Sequence, residues 1–250
     1  TASWRDRVDA ILVAWQPGIE GGNSVADILT GKVNPSGKLT MTWPIAATDH
    51  PSTANFAMDY DMYTYKNLLD WSKGNIKGYD YSNHEEDIYV GYRYFDTFKK
   101  NVAYPFGYGL SYTTFEFGKP SVKAKGNYIE VSVTIKNTGK VAGKEVAEVY
   151  VTAPKGAYEK PAKELKTFGK TRELKPGESQ TLKMTLEKRD LASFDEANSQ
   201  WKVDAGNYLF KVGGDVENIK GTATLKVSEY TEKTSNACAP KVQLNYLKQK

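Results

Sequence analysis

Tyr128 to Thr152 reads YIEVSVTIKNTGKVAGKEVAEVYVT, and this stretch decides the fold. Residues 128–136 alternate apolar and polar side chains, the period of a strand with one buried face. Asn137-Thr138-Gly139 has turn chemistry, and residues 145–152 alternate again. Moving toward the C-terminus, strand patterns return at 165–172, 179–186, 201–203, 206–212 and 221–227, with a turn at Lys175-Pro176-Gly177-Glu178. About seven short strands with regular turns predict an all-β sandwich of the immunoglobulin or fibronectin type III kind. The antibody variety is excluded, because it needs a Cys-Trp-Cys pattern and Cys238 is the one cysteine. Beyond Ser228 the chain is polar apart from Val242, Leu244, Tyr246 and Leu247, a tail that either docks back on the body or frays.

Upstream of the sandwich the character changes. Residues 84–117 are dense in tyrosine, phenylalanine and glycine, unlike a solvated flexible linker, and are expected to pack two regions together. Further back, Val8 to Trp15 (VDAILVAW) is a nearly continuous apolar run, as in a strand buried on both faces of a parallel sheet. Gln16-Pro17-Gly18 makes a turn. Val25, Ile28 and Leu29 then fall on one helix face, with Asn23 or Ser24 as N-cap and Gly31 as stop. Asn34-Pro35-Ser36-Gly37 makes another turn, and Lys38 to Trp43 alternates as a strand. One strand–helix–strand unit cannot bury its own core, so the remaining strands of this α/β layer are expected before Thr1.

The expected fold class is therefore a multidomain fragment, with a partial parallel-sheet α/β segment followed by the all-β sandwich. Its divisions are 1–47 for the end of the α/β domain, 48–119 for an insertion and aromatic connector, 120–228 for the sandwich, and 229–250 for the tail. Residues 48–83 follow no sustained period and read as a long loop over a neighbouring surface or an insertion without chemical consequence.

Composition narrows the function. With 40% hydrophobic and 26% charged residues, the 250-residue chain has the make-up of a folded globular protein. A net charge of +4 without a basic tract argues against nucleic acid. One cysteine rules out an intrachain disulfide. No apolar run approaches the roughly 20 residues of a membrane-spanning helix. The 17 tyrosines suit either sugar stacking or sandwich cores and seams, and the second use is the commoner.

Catalytic patterns are sparse. His50 and His84 lack any zinc-ligand spacing, and no G-x-S-x-G elbow is present. Gly18, Gly21 and Gly22 stand between a strand and a helix, where anions bind, but without a dinucleotide or Walker pattern they read as turn formers. Glycoside hydrolysis needs two carboxyl groups flanking the scissile bond. Glu20, Glu85, Glu86 and Asp87 are the candidates. Glu20 reads better as a helix N-terminal charge, and the trio as a solvated turn or partners of Arg93.

Three motifs carry a family resemblance. WQPGIEGGNSVADILTGKVNPSGKLTMTWP (15–44) resembles the closing segment of the α/β domain of glycoside hydrolase family 3. EEDIYVGYRYFD (85–96) with YPFGYGLSYTTFEF (104–117) resembles its connector. KEVAEVYV, KELKTFGK and LKPGES, in that order, resemble its fibronectin type III-like domain. The resemblance covers nearly the whole chain and is strongest toward bacterial β-glucosidase-type members. It implies a retaining exo-glycosidase acting on terminal β-D-glycosyl residues of oligosaccharides, with no metal or cofactor. The family's nucleophilic aspartate and acid/base glutamate belong to segments preceding this one, so no catalytic residue is expected here. The partners would be the missing barrel, the rest of the α/β domain and a β-linked oligosaccharide, and the setting periplasmic or secreted, with a cytoplasmic one open. Within this chain, Tyr92, Phe106, Tyr108 and Tyr112 would pack the seam, Arg93 and Asp96 would pair across it, and Tyr63, Tyr65 or Trp71 would stack on sugar at the cleft rim. The rival reading is a free-standing carbohydrate- or protein-binding sandwich, which would have no use for the strand–helix–strand unit.

Overall fold

The computed structural model describes residues 4–55, 83–240 and 242–249. In chain order the regular elements are α1 (Gly21–Leu29), β1 (Trp43–Pro44), α2 (Tyr92–Thr97), β2 (Val102–Tyr104), β3 (Phe115–Phe117), β4 (Ser121–Lys125) and β5 (Tyr128–Asn137). There follow β6 (Val146–Thr152), β7 (Glu164–Lys170), β8 (Ser179–Glu187), β9 (Ser193–Asp195), β10 (Gln200–Val203), β11 (Gly206–Gly213), β12 (Ile219–Val227) and β13 (Tyr230–Lys233). The described chain is mostly β with few helices. No described helix is long and apolar enough to cross a membrane.

The sandwich forms where alternation predicts it. In one sheet β5 pairs antiparallel with β8 along one edge, from Tyr128↔Glu187 to Lys136↔Ser179. Its other edge receives β4 opposite residues 128–132 and β3 opposite residues 135–137. The second sheet runs β12-β11-β6-β7, all antiparallel. Between the sheets lie Ile129, Val131, Val133 and Ile135 of β5, Leu182, Met184 and Leu186 of β8, Ala147, Val149 and Val151 of β6, and Tyr208, Phe210 and Val212 of β11. Every second residue of each strand enters this core, the consequence of a side-chain period of two. A small sheet, β13-β10-β9, closes one end, with Phe194 and Trp201 in ring contact.

β6 departs from simple alternation because both its faces are buried. Ala147, Val149 and Val151 face the core, while Val146, Glu148 and Tyr150 face the aromatic connector. Its sequence, VAEVYV, is accordingly almost continuously apolar, with Glu148 the one interruption, as expected of a strand buried on both faces.

The N-terminal region differs from the expectation. Residues 8–15 are irregular, with bends at 8 and 9 and Trp15 at φ +50°, and form no ladder with any described strand; Val8, Leu12 and Trp15 are exposed. The strand expected over 38–43 shrinks to β1, which pairs antiparallel with β2 of the connector. Helix α1 starts at Gly21, two residues before the first expected N-cap. Glu20 sits at that N-cap without capping through its side chain. The helix ends as expected, with Gly31 at φ +74° just beyond Thr30. The short strands β2, β3, β4, β9 and β13 were not legible as strands, being too brief or too polar to show a period. The tail docks: Leu247 N–H donates to Glu85 O at 2.7 Å.

Candidate functional site

The densest set of long-range polar contacts joins the N-terminal region, the connector and the sandwich. Asn34, in the turn after α1, contacts both other parts. Its Nδ2 donates to Ala142 O of the sandwich at 2.9 Å. Its Oδ1 accepts from Ser111 Oγ at 3.0 Å and Tyr112 N–H at 2.8 Å, both in the connector. Tyr112 returns the contact, its hydroxyl donating to Ile28 O at 2.8 Å near the C-terminus of α1, one of the carbonyls a helix end leaves free. Two backbone bonds, Leu39 N–H to Tyr108 O (2.9 Å) and Gly107 N–H to Leu39 O (2.8 Å), fix the connector against residues 37–39.

Helix α2 presses on the second sheet. The Tyr92 ring contacts Phe106 and Tyr150, and its hydroxyl accepts from Leu165 N–H at 2.8 Å. Burial pushes the Tyr92 phenol up, which keeps it neutral. Thr97 Oγ1 accepts from Ala162 N–H at 2.9 Å. Arg93 and Asp96, expected to pair with each other, instead reach separately across the seam. Arg93 lies 3.4 Å from Glu164 Oε1, and Asp96 Oδ1 accepts from Lys163 at 2.7 Å. Three residues apart on one helix, each is nearer to an opposite charge on the loop before β7 or on β7 itself.

Glu148 lies at the centre. It is 5% exposed and accepts a short hydrogen bond from the Tyr150 hydroxyl. Desolvation pushes its carboxyl up to about 7. The Tyr150 bond and Lys38 pull the other way, while Asp215 and Glu145 add to the rise. Lys38 spends its ammonium on Glu145, at 3.0 Å. Gly107 sits against this group at φ +84°, and a Cβ there would overlap the Glu148 carboxylate and crowd the Asp215 backbone. Glycine at that position is a condition of the connector's approach. Val216 N–H donates to Phe106 O at 3.1 Å beside it.

The tail adds a fourth part. Gln249 Nε2 donates to the Tyr89 hydroxyl and to Lys160 O, both at 2.8 Å, and the Tyr89 hydroxyl donates to Glu159 at 2.9 Å. Tyr89 is fully buried, and desolvation raises its phenol.

The sequence candidates fall in separate places. Glu20 is exposed and accepts from Asn23 Nδ2 at 2.6 Å. Glu85 faces the tail, with its Oε1 3.4 Å from Asn245 N. Glu86 is buried and pairs with His84 Nδ1 at 2.9 Å, and Asp87 sits at φ +51° in the same turn. The expected Arg93 partner of this trio is engaged by Glu164 instead. Gly18 takes φ +70° and accepts from Gly21 N–H, a tight turn into α1. Phe106 and Tyr108 lie in ring contact with Tyr92 and Tyr104, respectively. Tyr63, Tyr65 and Trp71 lie outside the described residues. Among the described residues no group of three or more His, Cys, Asp or Glu side chains is placed to hold a metal ion. Sequence reasoning missed Asn34, Lys38, Gly107, Glu148, Tyr150 and Asp215. One signal was available: Glu148 is a carboxylate flanked by apolar residues in VAEVYV, and buried carboxylates need partners.

This arrangement is a structural junction built from aromatic packing and buried polar contacts, in a molecule of strand-rich C-terminal architecture. The comparisons supply its family. Residues 1–112 match the glycosyl hydrolase family 3 C-terminal domain, and residues 145–216 match a fibronectin type III-like domain. The chain belongs to glycoside hydrolase family 3, within that family's C-terminal portion. It is 40% identical to a β-glucosidase of Kluyveromyces marxianus over 90% of its own length and 25% of that protein's. It is 41% identical to β-glucosidase A of Butyrivibrio fibrisolvens, over 94% of this chain and 29% of the relative. The solved structure of β-glucosidase 3B from Thermotoga neapolitana with glucose superposes with a TM-score of 0.80 at 46% identity, covering 94% of this chain and 30% of that one. The chain thus spans between a quarter and three tenths of these curated relatives. A free-standing binding module is not favoured.

Proposed function

We propose that this chain is the non-catalytic C-terminal portion of a retaining, exo-acting β-glucosidase that releases terminal β-D-glucosyl residues from oligosaccharides. The observation that carries the reading is the unbroken likeness, 46% identical over 94% of the chain, to a β-glucosidase solved with glucose. In this reading the chain's work is positional. Tyr92, Arg93, Asp96, Phe106, Tyr108 and Tyr112 hold the connector between an α/β layer and the sandwich, and that layer keeps substrate-contacting segments in register. Residues 8–15 and α1 would close a parallel sheet begun upstream, which accounts for the exposed apolar side chains of Val8, Leu12 and Trp15. The divisions at 47, 119 and 228 follow from the same reading. Tyr63, Tyr65 and Trp71 would line the cleft rim. A periplasmic or secreted setting suits oligosaccharide substrates.

The test compares nitrophenyl β-glucoside and β-xyloside hydrolysis by this chain and by the complete gene product. Activity in the complete product alone, with glucoside preferred, is expected. Hydrolysis by the isolated chain would overturn the reading and return Glu20, Glu85, Glu86 and Asp87 to catalytic candidacy. For the rim, Trp71→Ala in the complete enzyme should raise KM for oligosaccharides more than for the nitrophenyl glucoside. Unchanged kinetics would remove Trp71 from the site.

A further inference from the structure

Two buried oxygens at the junction have no hydrogen-bond partner: Thr42 Oγ1, immediately before β1, and Asp96 Oδ2, on α2. Both residues line one small pocket of about 10 Å³, completed by Phe95, Val102, Pro105 and Val216 together with the polar Tyr92 and Glu217. That volume matches a single water, and a water needs at least two polar partners to be held. A buried oxygen without a partner loses its hydration and gains nothing for it, whereas a cavity with apolar walls throughout stays dry.

We propose that this cavity is a binding site for one water molecule, which bridges Thr42 Oγ1 and Asp96 Oδ2. The water donates one proton to the Asp96 carboxylate, an acceptor only. Toward Thr42 it either donates its second proton or accepts the hydroxyl's. A metal cation is disfavoured there. Asp96 Oδ1 already accepts from Lys163 at 2.7 Å and lies 3.7 Å from Lys99, so an added cation would meet two ammonium groups. The water completes a polar chain from Thr42 through Asp96 to Lys163, joining the N-terminal region, α2 and the loop before β7. Asp96 is then a positioning residue that serves both neighbours, one with each oxygen.

A high-resolution crystal structure of the chain tests this directly. One ordered water within hydrogen-bonding distance of both oxygens is expected. A cavity without density, or a Thr42 hydroxyl turned onto a protein acceptor, would overturn the proposal. Thr42→Val should lose the water and melt lower, and an unchanged water peak would equally count against the bridge.

Discussion

Between residues 121 and 227, apolar side chains close on partners from the same stretch of chain, whereas between residues 4 and 45 many remain on the outside. Val131, Val149, Tyr208 and Phe210 are fully buried, while Ile19, Leu29, Trp15 and Met41 are half exposed or more. The sandwich supplies both of its own sheets. The N-terminal region is held chiefly from one side, through β1 against β2, the backbone bonds at Leu39 and the side chain of Asn34. The difference teaches that hydrophobic pattern is enough to read a structure only when the partners lie nearby in sequence. A run such as VDAILVAW has strand-like content yet forms no ladder here, because a strand is completed by its neighbours.

The largest effect is expected from breaking the self-sufficient side of this comparison. Phe210→Ala empties the centre of the β11 face and should destabilise the sandwich by about 3–5 kcal/mol, the usual cost of truncating a buried phenylalanine. Urea unfolding followed by tryptophan fluorescence measures it. A loss below 1 kcal/mol would mean that the two sheets close up around the gap, and that the core is less tightly determined than its burial implies.

Glu148 tests the boundary between the two regions. Its native carboxyl, raised to about 7 by desolvation, retains a proton over a range where the unfolded chain, with an ordinary value of 4.5, has released it. Stability from this group is therefore greatest near or below pH 4.5 and falls as pH rises through about 7, by about 3 kcal/mol for the full shift. Replacing the acid by a neutral isostere, Glu148→Gln, should flatten that decline in melting curves recorded between pH 5 and 8. The same slope in the variant would assign the pH dependence to other groups.

How far the sequence could be read follows from the same contrast. The long strands β5, β8, β11 and β12 were legible because each shows a period of two over several residues, and β6 from its run of β-forming apolar residues. Helix α1 was legible from Val25, Ile28 and Leu29. The junction was not, because many of its polar contacts join residues more than sixty positions apart, as Asn34 does with Ser111 and with Ala142. Arg93 and Asp96 meet Glu164 and Lys163 rather than each other, since spacing shows which charges share a helix and not which charges another element brings near. The aromatic density of residues 84–117 was visible from composition, whereas the requirement for glycine at 107 emerges only once Glu148 is seen beneath it.

Asn34 offers the smallest and most selective perturbation. Asn34→Ala removes a donor to Ala142 O and an acceptor for Ser111 Oγ and Tyr112 N–H. Tyr112 is exposed, so water can replace part of the loss, and a destabilisation of about 1–2 kcal/mol is expected. Asn34→Asp keeps the acceptor but sets a carboxylate oxygen against Ala142 O, so it should destabilise at least as much as the alanine variant. The informative readout is hydrogen exchange resolved along the chain. If the N-terminal region is a dependent partner, amides in α1 and around Leu39 will exchange faster in Asn34→Ala, while those of β5 and β8 keep their protection. If protection falls equally in both regions, the junction makes the two a single cooperative unit, and the contrast between them belongs to burial alone. If neither changes, the backbone pairing of Leu39 with Gly107 and Tyr108 is sufficient to hold the region, and Asn34 serves only to shape its own turn.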